Sequence, residues 1–220
     1  MIEKYDAVIF DMDGTLINSM WVWHEVDEIF FEKYKLSRPP EMNEELEGKS
    51  FTESAIYFIE KFNLNHTPEE IKAEWRAIAK DFFEHKITLK PHAVEFLEFL
   101  KSHQIKLGIA TSNSRELAEV ALKSLDIMKY FDSVKTSCEV EKGKPHPYIY
   151  EAVARELGVC PSKCLAFEDV PNGIRAGQSA GMEVWGIYDD YQDDQMRKVA
   201  KELATRWIED YSEAIKFLKE

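Results

Sequence analysis

The stretch AVIFDMDGTL, residues 7–16, places two carboxylates at the end of an apolar run. Residues 7–10 have the uninterrupted apolar character of a strand that is buried on both faces. The run ends at Asp11, and Asp13 follows two residues later, directly before Gly14. Two like charges about 4 Å apart repel by about 4 kcal/mol at an effective dielectric constant near 20. A purely structural strand gains nothing from that repulsion, so the stretch predicts a buried strand that ends in a ligand-binding site.

Composition restricts the class of protein. With 220 residues, the chain can form one large domain or a core with a smaller partner domain. A hydrophobic content of 45% with 12% aromatic residues excludes a mainly disordered chain. The net charge of −13, without a basic cluster, argues against nucleic acid and anionic membrane surfaces as partners.

The N-terminus and the cysteines bear on location. Glu3 and Asp6 flank a very short apolar run, which predicts neither a signal peptide nor a transmembrane helix. The three cysteines lack the spacing of a metal finger, and we expect reduced thiols in a cytoplasmic protein. The sequence leaves the oligomeric state open, with a monomer favoured.

Four more apolar runs predict strands of the same sheet. These strands are predicted at residues 106–110, 133–136 (the weakest), 164–167 and 183–187. Helices between the later runs are predicted at residues 116–125, 148–157 and 174–180. Alternation of strand and helix is typical of a parallel sheet with right-handed crossovers. The predicted fold class is therefore α/β, with a Rossmann-like core.

The interval after the first strand is too long for a simple strand-helix-strand unit. Such a unit needs about 30 residues, whereas roughly 95 separate the first strand from the second. Amphipathic helical patterns in this interval are found at residues 22–33, 53–61 and 69–85. We therefore predict an inserted α-helical cap domain at residues 18–89, and a catalytic core formed by residues 1–17 and 90–220. The tail beyond residue 193 predicts two helices without recognisable chemistry.

Acidic side chains follow two of the predicted strands. In an open parallel sheet, ligands bind beyond the carboxyl ends of the strands. Glu168 and Asp169 follow the strand at residues 164–167, and we expect them to join Asp11 and Asp13 at this edge. Four carboxylates cannot lie together without compensation, and a small site of hard oxygen ligands suits Mg²⁺. The sequence therefore predicts a Mg²⁺ site that involves these four residues.

A phosphate-binding site is predicted beside the metal. Thr111, Ser112 and Asn113 follow the strand at residues 106–110, where a hydroxyl and backbone N–H groups at a helix start can hold an anion. Lys144 adds a fixed positive charge from a loop. Phosphoryl transfer depends mainly on positioning and charge neutralisation, which these groups supply. We therefore expect a small phosphorylated metabolite as the substrate.

Four motifs in this order resemble those of the haloacid dehalogenase-like hydrolase superfamily. They are DMDGTL (11–16), TSN (111–113), KPHP (144–147) and FEDVPNG (167–173). The chain resembles in particular the branch that contains β-phosphoglucomutase and its phosphatase relatives. The resemblance implies that Asp11 is a nucleophile that forms an aspartyl-phosphate, and that Asp13 protonates the leaving alcohol and later activates water. It also implies that Asp11, the backbone carbonyl of Asp13 and Asp169 hold Mg²⁺, with Glu168 nearby.

Two positions separate a phosphatase from its main alternative, a phosphosugar mutase. β-Phosphoglucomutase has an arginine and a histidine where this chain has Phe51 and Trp23. The adjacent Lys49, in the stretch GKSF (48–51), and His24 could substitute for them. Lys49, Trp23 and His24 are thus the candidates for substrate specificity. We expect Mg²⁺-dependent hydrolysis of a small phosphate monoester, most of all a sugar phosphate.

Two further functions are disfavoured. Receiver-type signalling domains are also phosphorylated on an aspartate at a strand end. They lack the second aspartate two residues later and have no helical insertion of this size. Dehalogenation needs neither a leaving-group acid nor a cation, so it would leave Asp13 without a role.

Overall fold

The computed structural model describes residues 1–46 and 49–220. Within these residues, a six-stranded parallel sheet forms the centre and a two-stranded antiparallel sheet accompanies it. In chain order, the strands are β1 (Ala7–Phe10), β2 (Ile17–Asn18), β3 (Thr88–Leu89), β4 (Lys106–Thr111), β5 (Ser133–Thr136), β6 (Cys164–Glu168), β7 (Glu183–Ile187) and β8 (Arg206–Ile208). The order across the large sheet is β5-β4-β1-β6-β7-β8.

Helices precede, connect and follow these strands. In chain order, they are α1 (Met20–Tyr34), α2 (Met42–Leu46), α3 (Phe51–Phe62), α4 (Pro68–His85), α5 (Ala93–Ser102), α6 (Arg115–Ser124), α7 (Tyr148–Leu157), α8 (Pro171–Ser179), α9 (Asp194–Leu203) and α10 (Tyr211–Lys219). Short 3-10 helices occur at Ile2–Lys4, Met128–Tyr130, Ser137–Glu139 and Pro161–Lys163. In the part of the chain that is described, no helix combines the length and apolar character needed to cross a membrane.

β1 lies in the middle of the large sheet, between β4 and β6. All four of its residues are completely buried. Val8 and Phe10 pack into a cluster with residues of α5, α6 and α10, whereas Ala7 and Ile9 pack with residues of α7, α8 and α9. Helices on both faces explain why the strand is apolar throughout. The central position of β1 brings its carboxyl end next to those of β4 and β6.

The helical insert, defined as residues 18–89, contains α1 to α4 and lies between β2 and β3. Ile17 of β2 pairs with Leu89 of β3, so the chain enters and leaves the insert side by side. Aromatic rings fill its interior: the Phe58 ring lies 5.5 Å from Phe30 and 4.8 Å from Trp75 between centroids. Such edge-to-face pairs add stability beyond the area they bury.

The fold class predicted from the sequence is confirmed, with a parallel sheet and helices on both faces. Every predicted strand exists, and their ends differ from the prediction by at most one residue. The prediction missed α2, the small sheet of β2 and β3, and β8 in the tail. β8 contains Arg206 and Trp207 and has no apolar run; it exists because it pairs with β7 at the sheet edge. A strand this short is decided by its tertiary partner rather than by its own sequence.

Candidate active site

The chain turns sharply after β1, and this turn positions Asp11. The Asp11 N–H continues the sheet ladder by donating to the Phe167 carbonyl at 3.0 Å. Gly14 then adopts a φ of 82°, a conformation that costs glycine little, and its N–H donates to the Ile17 carbonyl at 3.0 Å. Asp11 is only 6% exposed and sits where the strand ends. The turn therefore fixes the Asp11 carboxylate at the edge of the sheet.

Three acidic side chains meet beyond β1 and β6. One carboxylate oxygen each from Asp11, Glu168 and Asp169 lie within 4.8 Å of one another, and all three residues are buried. The Thr15 hydroxyl donates to Asp169 Oδ1 at 2.8 Å and fixes that carboxylate. A Cβ at Gly14 would overlap the Asp169 carboxylate, so only glycine fits there. The carboxyl ends of the two strands thus bring together three of the four carboxylates that the sequence predicts at this edge, without Asp13.

Lys144 bridges two members of this acidic group. Its Nζ donates to Asp11 Oδ1 and to Glu168 Oε1, both at 2.6 Å, and its side chain is only 2% exposed. The Tyr150 hydroxyl donates to the same Glu168 oxygen at 2.5 Å. One cation faces three carboxylates, so the group would keep a net negative charge if all of them were ionised. The structure thus places Lys144, as predicted, beside Asp11.

The pKa values of these groups reflect crowding in a buried space. Burial raises the pKa of Asp11, although the charge of Lys144 opposes that rise. Burial raises the pKa of Glu168 to about 7 against the lowering effect of Lys144, and the nearby Asp11 charge adds to the rise. Burial, with the charges of Asp11 and Glu168, raises the pKa of Asp169 well above its usual value. Burial alone would lower the pKa of Lys144, but the two carboxylates hold it above its ordinary value. The acidic group therefore favours any added cation.

A hard divalent cation fits this environment. Every donor in the group is a carboxylate oxygen, the ligand type that Mg²⁺ prefers. Glu168 Oε2 is buried and has no hydrogen-bond partner among the described residues. An orphaned buried carboxylate oxygen is costly unless something positive reaches it. Asp11, Glu168 and Asp169 are therefore the residues that could hold Mg²⁺.

The Asp13 carboxylate lies near Asp11 but outside the group of three, and it accepts hydrogen bonds from Ser19, Asn113 and Trp23. Ser19 donates its hydroxyl to Oδ1 at 2.6 Å, and Asn113 donates its side-chain N–H to Oδ2 at 3.0 Å. Burial, and to a smaller extent the Asp11 charge, raises the pKa of Asp13 to about 6, although the Ser19 bond lowers it. If Asp13 is a metal ligand, as the sequence predicts, the ligand atom is therefore its backbone carbonyl oxygen. This role of Asp13 stays a prediction.

The residues at the carboxyl end of β4 line the same cleft as Asp11 and Asp169, but their hydrogen bonds differ from the expectation. The sequence predicts that backbone N–H groups here face an anion, yet the Asn113 N–H donates to the Thr111 hydroxyl at 3.0 Å. The Asn113 side chain holds Asp13 and also accepts from the Ser114 N–H at 2.7 Å. Thr111, Ser112 and Asn113 all line the cleft described next. A phosphate-binding role for them remains a prediction.

A cleft of about 340 Å³ lies between the strand ends and the helical insert. Asp11, Asp13, Lys144 and Asp169 line one end of it. The three predicted specificity residues, Lys49, Trp23 and His24, line it from the insert. The Trp23 ring packs against Phe51 and Phe83, with centroids 5.8 and 5.7 Å apart. Gly48 of the stretch GKSF lies outside the described residues.

Sequence reasoning missed several residues that support the site. Besides Ser19, Thr15 and Tyr150, these are Asp189, Lys90 and Gln192. Lys90 donates to the Asp189 carboxylate at 2.5 Å in a buried ion pair, and the Gln192 amide donates to the Asp169 carbonyl at 2.5 Å. Asp189 comes shortly after β7. The rule that located the other acids at strand ends could therefore have located Asp189.

Comparison with known proteins agrees with this geometry. A family model described as haloacid dehalogenase-like hydrolase matches residues 8–187, a range that contains the acidic group and Lys144. A phosphorylated carbohydrates phosphatase of Thermotoga maritima is 33% identical over 189 residues, which make up 86% of this chain and 88% of that protein. A validoxylamine A 7'-phosphate phosphatase of Streptomyces hygroscopicus subsp. limoneus is 31% identical over 183 residues, 83% of this chain and 85% of that protein.

A solved structure gives the same result for the fold. The crystal structure of a candidate β-phosphoglucomutase from Thermotoga maritima superposes with a TM-score of 0.72 at 32% identity. The match covers 97% of this chain and 98% of that one. The similarity therefore extends over both the parallel sheet and the helical insert.

Proposed function

Because the chain belongs to the haloacid dehalogenase-like hydrolase family, we propose that it is a Mg²⁺-dependent phosphatase of small phosphate monoesters, with sugar phosphates as the leading class. The observation that carries the proposal is the buried acidic group bridged by Lys144 at one end of the cleft. The relatives named above are phosphatases of phosphorylated carbohydrates or of a phosphorylated validoxylamine. Hydrolysis of a phosphate ester is therefore the reaction in which the site residues are proposed to act.

Asp11 is the nucleophile of the proposed reaction. One of its carboxylate oxygens attacks phosphorus, and the bond between phosphorus and the ester oxygen breaks, which leaves an aspartyl-phosphate. Lys144 Nζ lies 2.6 Å from Asp11 Oδ1, close enough to offset the charge of the incoming phosphoryl oxygens. Mg²⁺ held by Asp11, Asp169 and the Asp13 carbonyl, with Glu168 close by, would supply further charge neutralisation between nucleophile and phosphate.

Asp13 is the proton donor and acceptor. Its proton goes to the oxygen of the leaving alcohol in the first step, and it takes a proton from the water that attacks the aspartyl-phosphate in the second. The hydrogen bonds from Ser19 and Asn113 fix its carboxylate near Asp11. A pKa of about 6 suits a group that must both give and accept a proton near neutral pH. Water attack then releases phosphate and restores the Asp11 carboxylate.

The helical insert is proposed to act as a cap, with residues 18–89 as one domain and residues 1–17 and 90–220 as the catalytic core. The insert covers the cleft from the side opposite the strand ends. Its α3 contacts the core directly, because the Phe51 N–H donates to the Ser112 carbonyl at 3.1 Å. Closure over a bound ester would keep water out until the aspartyl-phosphate has formed.

A phosphosugar mutase is the second candidate, since one structural neighbour is a candidate β-phosphoglucomutase. A mutase needs to hold a second phosphate at the far end of the cleft. Trp23 and Phe51, which stand where β-phosphoglucomutase has a histidine and an arginine, pack against each other with ring centroids 5.8 Å apart, and neither carries a positive charge that could hold a phosphate. This arrangement favours a phosphatase over a mutase.

Location and partners are proposed from composition. Cys138, Cys160 and Cys164 are all free thiols, which supports the reducing environment of a cytoplasmic location. The net charge of −13 disfavours binding to nucleic acid or anionic membranes. The proposed partner is a small phosphorylated metabolite, and a monomer is the favoured state.

The test is phosphate release from a panel of phosphate monoesters, with and without Mg²⁺. We expect Mg²⁺-dependent release, fastest on a sugar phosphate, and no release by Asp11→Asn. The panel includes β-glucose 1-phosphate with a bisphosphate activator: formation of glucose 6-phosphate instead of free phosphate would favour the mutase. Near-normal turnover by Asp11→Asn would show that the proposed mechanism is wrong. Glu25→Gln, an exposed substitution on α1, is the control and should behave as the wild type.

A further inference from the structure

We propose that the Asp27–Arg38 ion pair forms a charge-neutral subsite that selects a hydroxyl-rich leaving group and rejects a second phosphate. This inference rests on the proposed function. It identifies the side chains that select the substrate and the chemical groups for which they select. Both residues belong to the helical insert, and both line the cleft whose other end holds Asp11 and Lys144. The subsite would thus contact the part of the substrate remote from the reacting phosphate.

The short distance between the two side chains determines which ligand groups the pair can bind. Arg38 Nη1 lies 2.8 Å from Asp27 Oδ2, and the two side chains are 27% and 15% exposed. A guanidinium next to a carboxylate has its charge compensated, so it no longer attracts an anion as an unpaired arginine would. A second phosphate would also approach the Asp27 carboxylate, and like-charge contacts suppress binding. Hydroxyl groups, in contrast, can accept from the guanidinium and donate to the carboxylate.

Trp75 supplies a second, independent sign of a polar but uncharged ligand. It lines the cleft and is 4% exposed, yet its indole N–H has no hydrogen-bond partner among the residues that the structure describes. A buried donor without a partner is unfavourable unless a ligand accepts from it. A sugar hydroxyl oxygen is such an acceptor.

The wall beside the subsite suits the body of a sugar. The rings of Phe51 and Phe58 lie 5.6 and 4.8 Å from Trp75 between centroids, and all three residues line the cleft. Apolar rings can pack against the C–H faces of a pyranose or furanose while the polar groups bind its hydroxyls. Burial raises the pKa of Asp27 to about 7 although the charge of Arg38 opposes the rise, so the pair is charge-neutral only above that pH.

Two other basic side chains line the cleft from the insert. Lys49 is half-buried and His24 is exposed. Water screens an exposed charge strongly, so His24 attracts an anion less than an enclosed charge would. Lys49 contributes a positive charge at this end of the cleft, so the role of the Asp27–Arg38 pair is tested by substitutions in the pair itself.

The test measures binding rather than turnover, so that it stands apart from the phosphatase assay. In an Asp11→Asn background with Mg²⁺, isothermal titration calorimetry at about pH 8, where Asp27 is mostly ionised, compares a hexose 6-phosphate with a hexose 1,6-bisphosphate. We expect the monophosphate to bind at least about tenfold more tightly. Adding Asp27→Asn should reduce this preference about tenfold, because the charge of Arg38 is then no longer compensated by the Asp27 carboxylate. Adding Arg38→Met should instead increase the preference, because it removes a positive charge that a second phosphate could contact.

The outcomes separate the two proposals. Glu25→Gln, on the same helix but outside the cleft, should leave the preference unchanged within about twofold. Equal binding of the two ligands, no binding of the monophosphate, or a preference that neither Asp27→Asn nor Arg38→Met changes would overturn the subsite. If the preference behaves as expected but the wild type releases no phosphate from any monoester, the proposed function is wrong and the subsite stands.

Discussion

Replacing Lys144 by methionine should strongly destabilise the metal-free protein, because it leaves buried carboxylates unpaired. Lys144 Nζ lies 2.6 Å from both Asp11 Oδ1 and Glu168 Oε1, and its side chain is 2% exposed. At an effective dielectric constant near 20, each contact provides about 6 kcal/mol of attraction, much of which offsets the desolvation of the charges. Removing one partner of a buried pair costs about 3–5 kcal/mol of unfolding free energy. For a chain of this length, that corresponds to a melting temperature lower by about 6–20 °C.

The loss of stability should depend on pH. The pKa of Glu168 is raised to about 7 even with Lys144 present, and removing the lysine should raise it further. A carboxyl whose folded pKa exceeds its unfolded pKa is destabilising above the folded value, and this cost is relieved as the pH falls through that value. The difference between Lys144→Met and the wild type should thus be largest near pH 8 and smaller near pH 5. Mg²⁺ should restore part of the stability, because a bound cation compensates the same carboxylates.

Thermal unfolding, followed by circular dichroism at both pH values with EDTA or with Mg²⁺, measures these effects. Lys142→Met is the matched control, since Lys142 is exposed two residues earlier and the substitution changes the net charge equally. It should change the unfolding free energy by no more than about 0.5 kcal/mol. If Lys144→Met melted with the wild type at pH 8 in EDTA, or lost as much stability at pH 5 as at pH 8, the reasoning would be refuted.

Three further predictions concern the chemistry of the site. Asp13→Asn should slow hydrolysis of alkyl phosphates by about 10²–10⁴-fold. Hydrolysis of an aryl phosphate should be slowed less, because an aryl leaving group departs without a proton. Equal losses for both substrates in phosphate-release assays would contradict the role of Asp13 as an acid. Gly14→Ala should raise the Mg²⁺ concentration needed for half-maximal activity, because its Cβ overlaps the Asp169 carboxylate. Gly158→Ala, with a similar positive φ of 67° but open space around it, should not, and an equal effect of both would count against this reason. Chelation by EDTA should stop phosphate release and added Mg²⁺ should restore it, whereas full activity in EDTA would exclude the proposed cofactor.

The amino-acid sequence by itself determined the sheet and the edge at which the site lies. The apolar run before Asp11 is a local signal, and so is the change from apolar to acidic residues at Glu168. In a parallel sheet all strands point the same way, so residues that follow neighbouring strands must meet at one edge. Thr67 and Glu70 form a capping box at the start of α4 and gave that boundary locally, whereas the pattern placed the start of α3 two residues late and missed α2.

Only the tertiary structure decided how the side chains at that edge are paired. Lys144 contacts Asp11 across 133 positions of the chain, and Asn113 holds Asp13 across 100. The sequence predicts that these groups are near one another, but hydrogen-bond partners depend on side-chain orientations set by packing from several elements at once. The backbone N–H of Asn113 was expected to face an anion, but it donates to the Thr111 hydroxyl, while the Asn113 side chain holds the Asp13 carboxylate.

The inner surface of the helical insert depends even more on the tertiary structure than the edge of the sheet does. Asp27 and Arg38 are eleven positions apart and carry no motif, so their ion pair and its place in the cleft follow from how α1 and the segment after it fold back. In the sequence, Trp75 has the position of an ordinary core residue of an amphipathic helix. Only the packing of the helices places it at the wall of the cleft. Local periodicity fixes which face of a helix is buried, whereas the shape of the cavity between elements is set by their mutual arrangement.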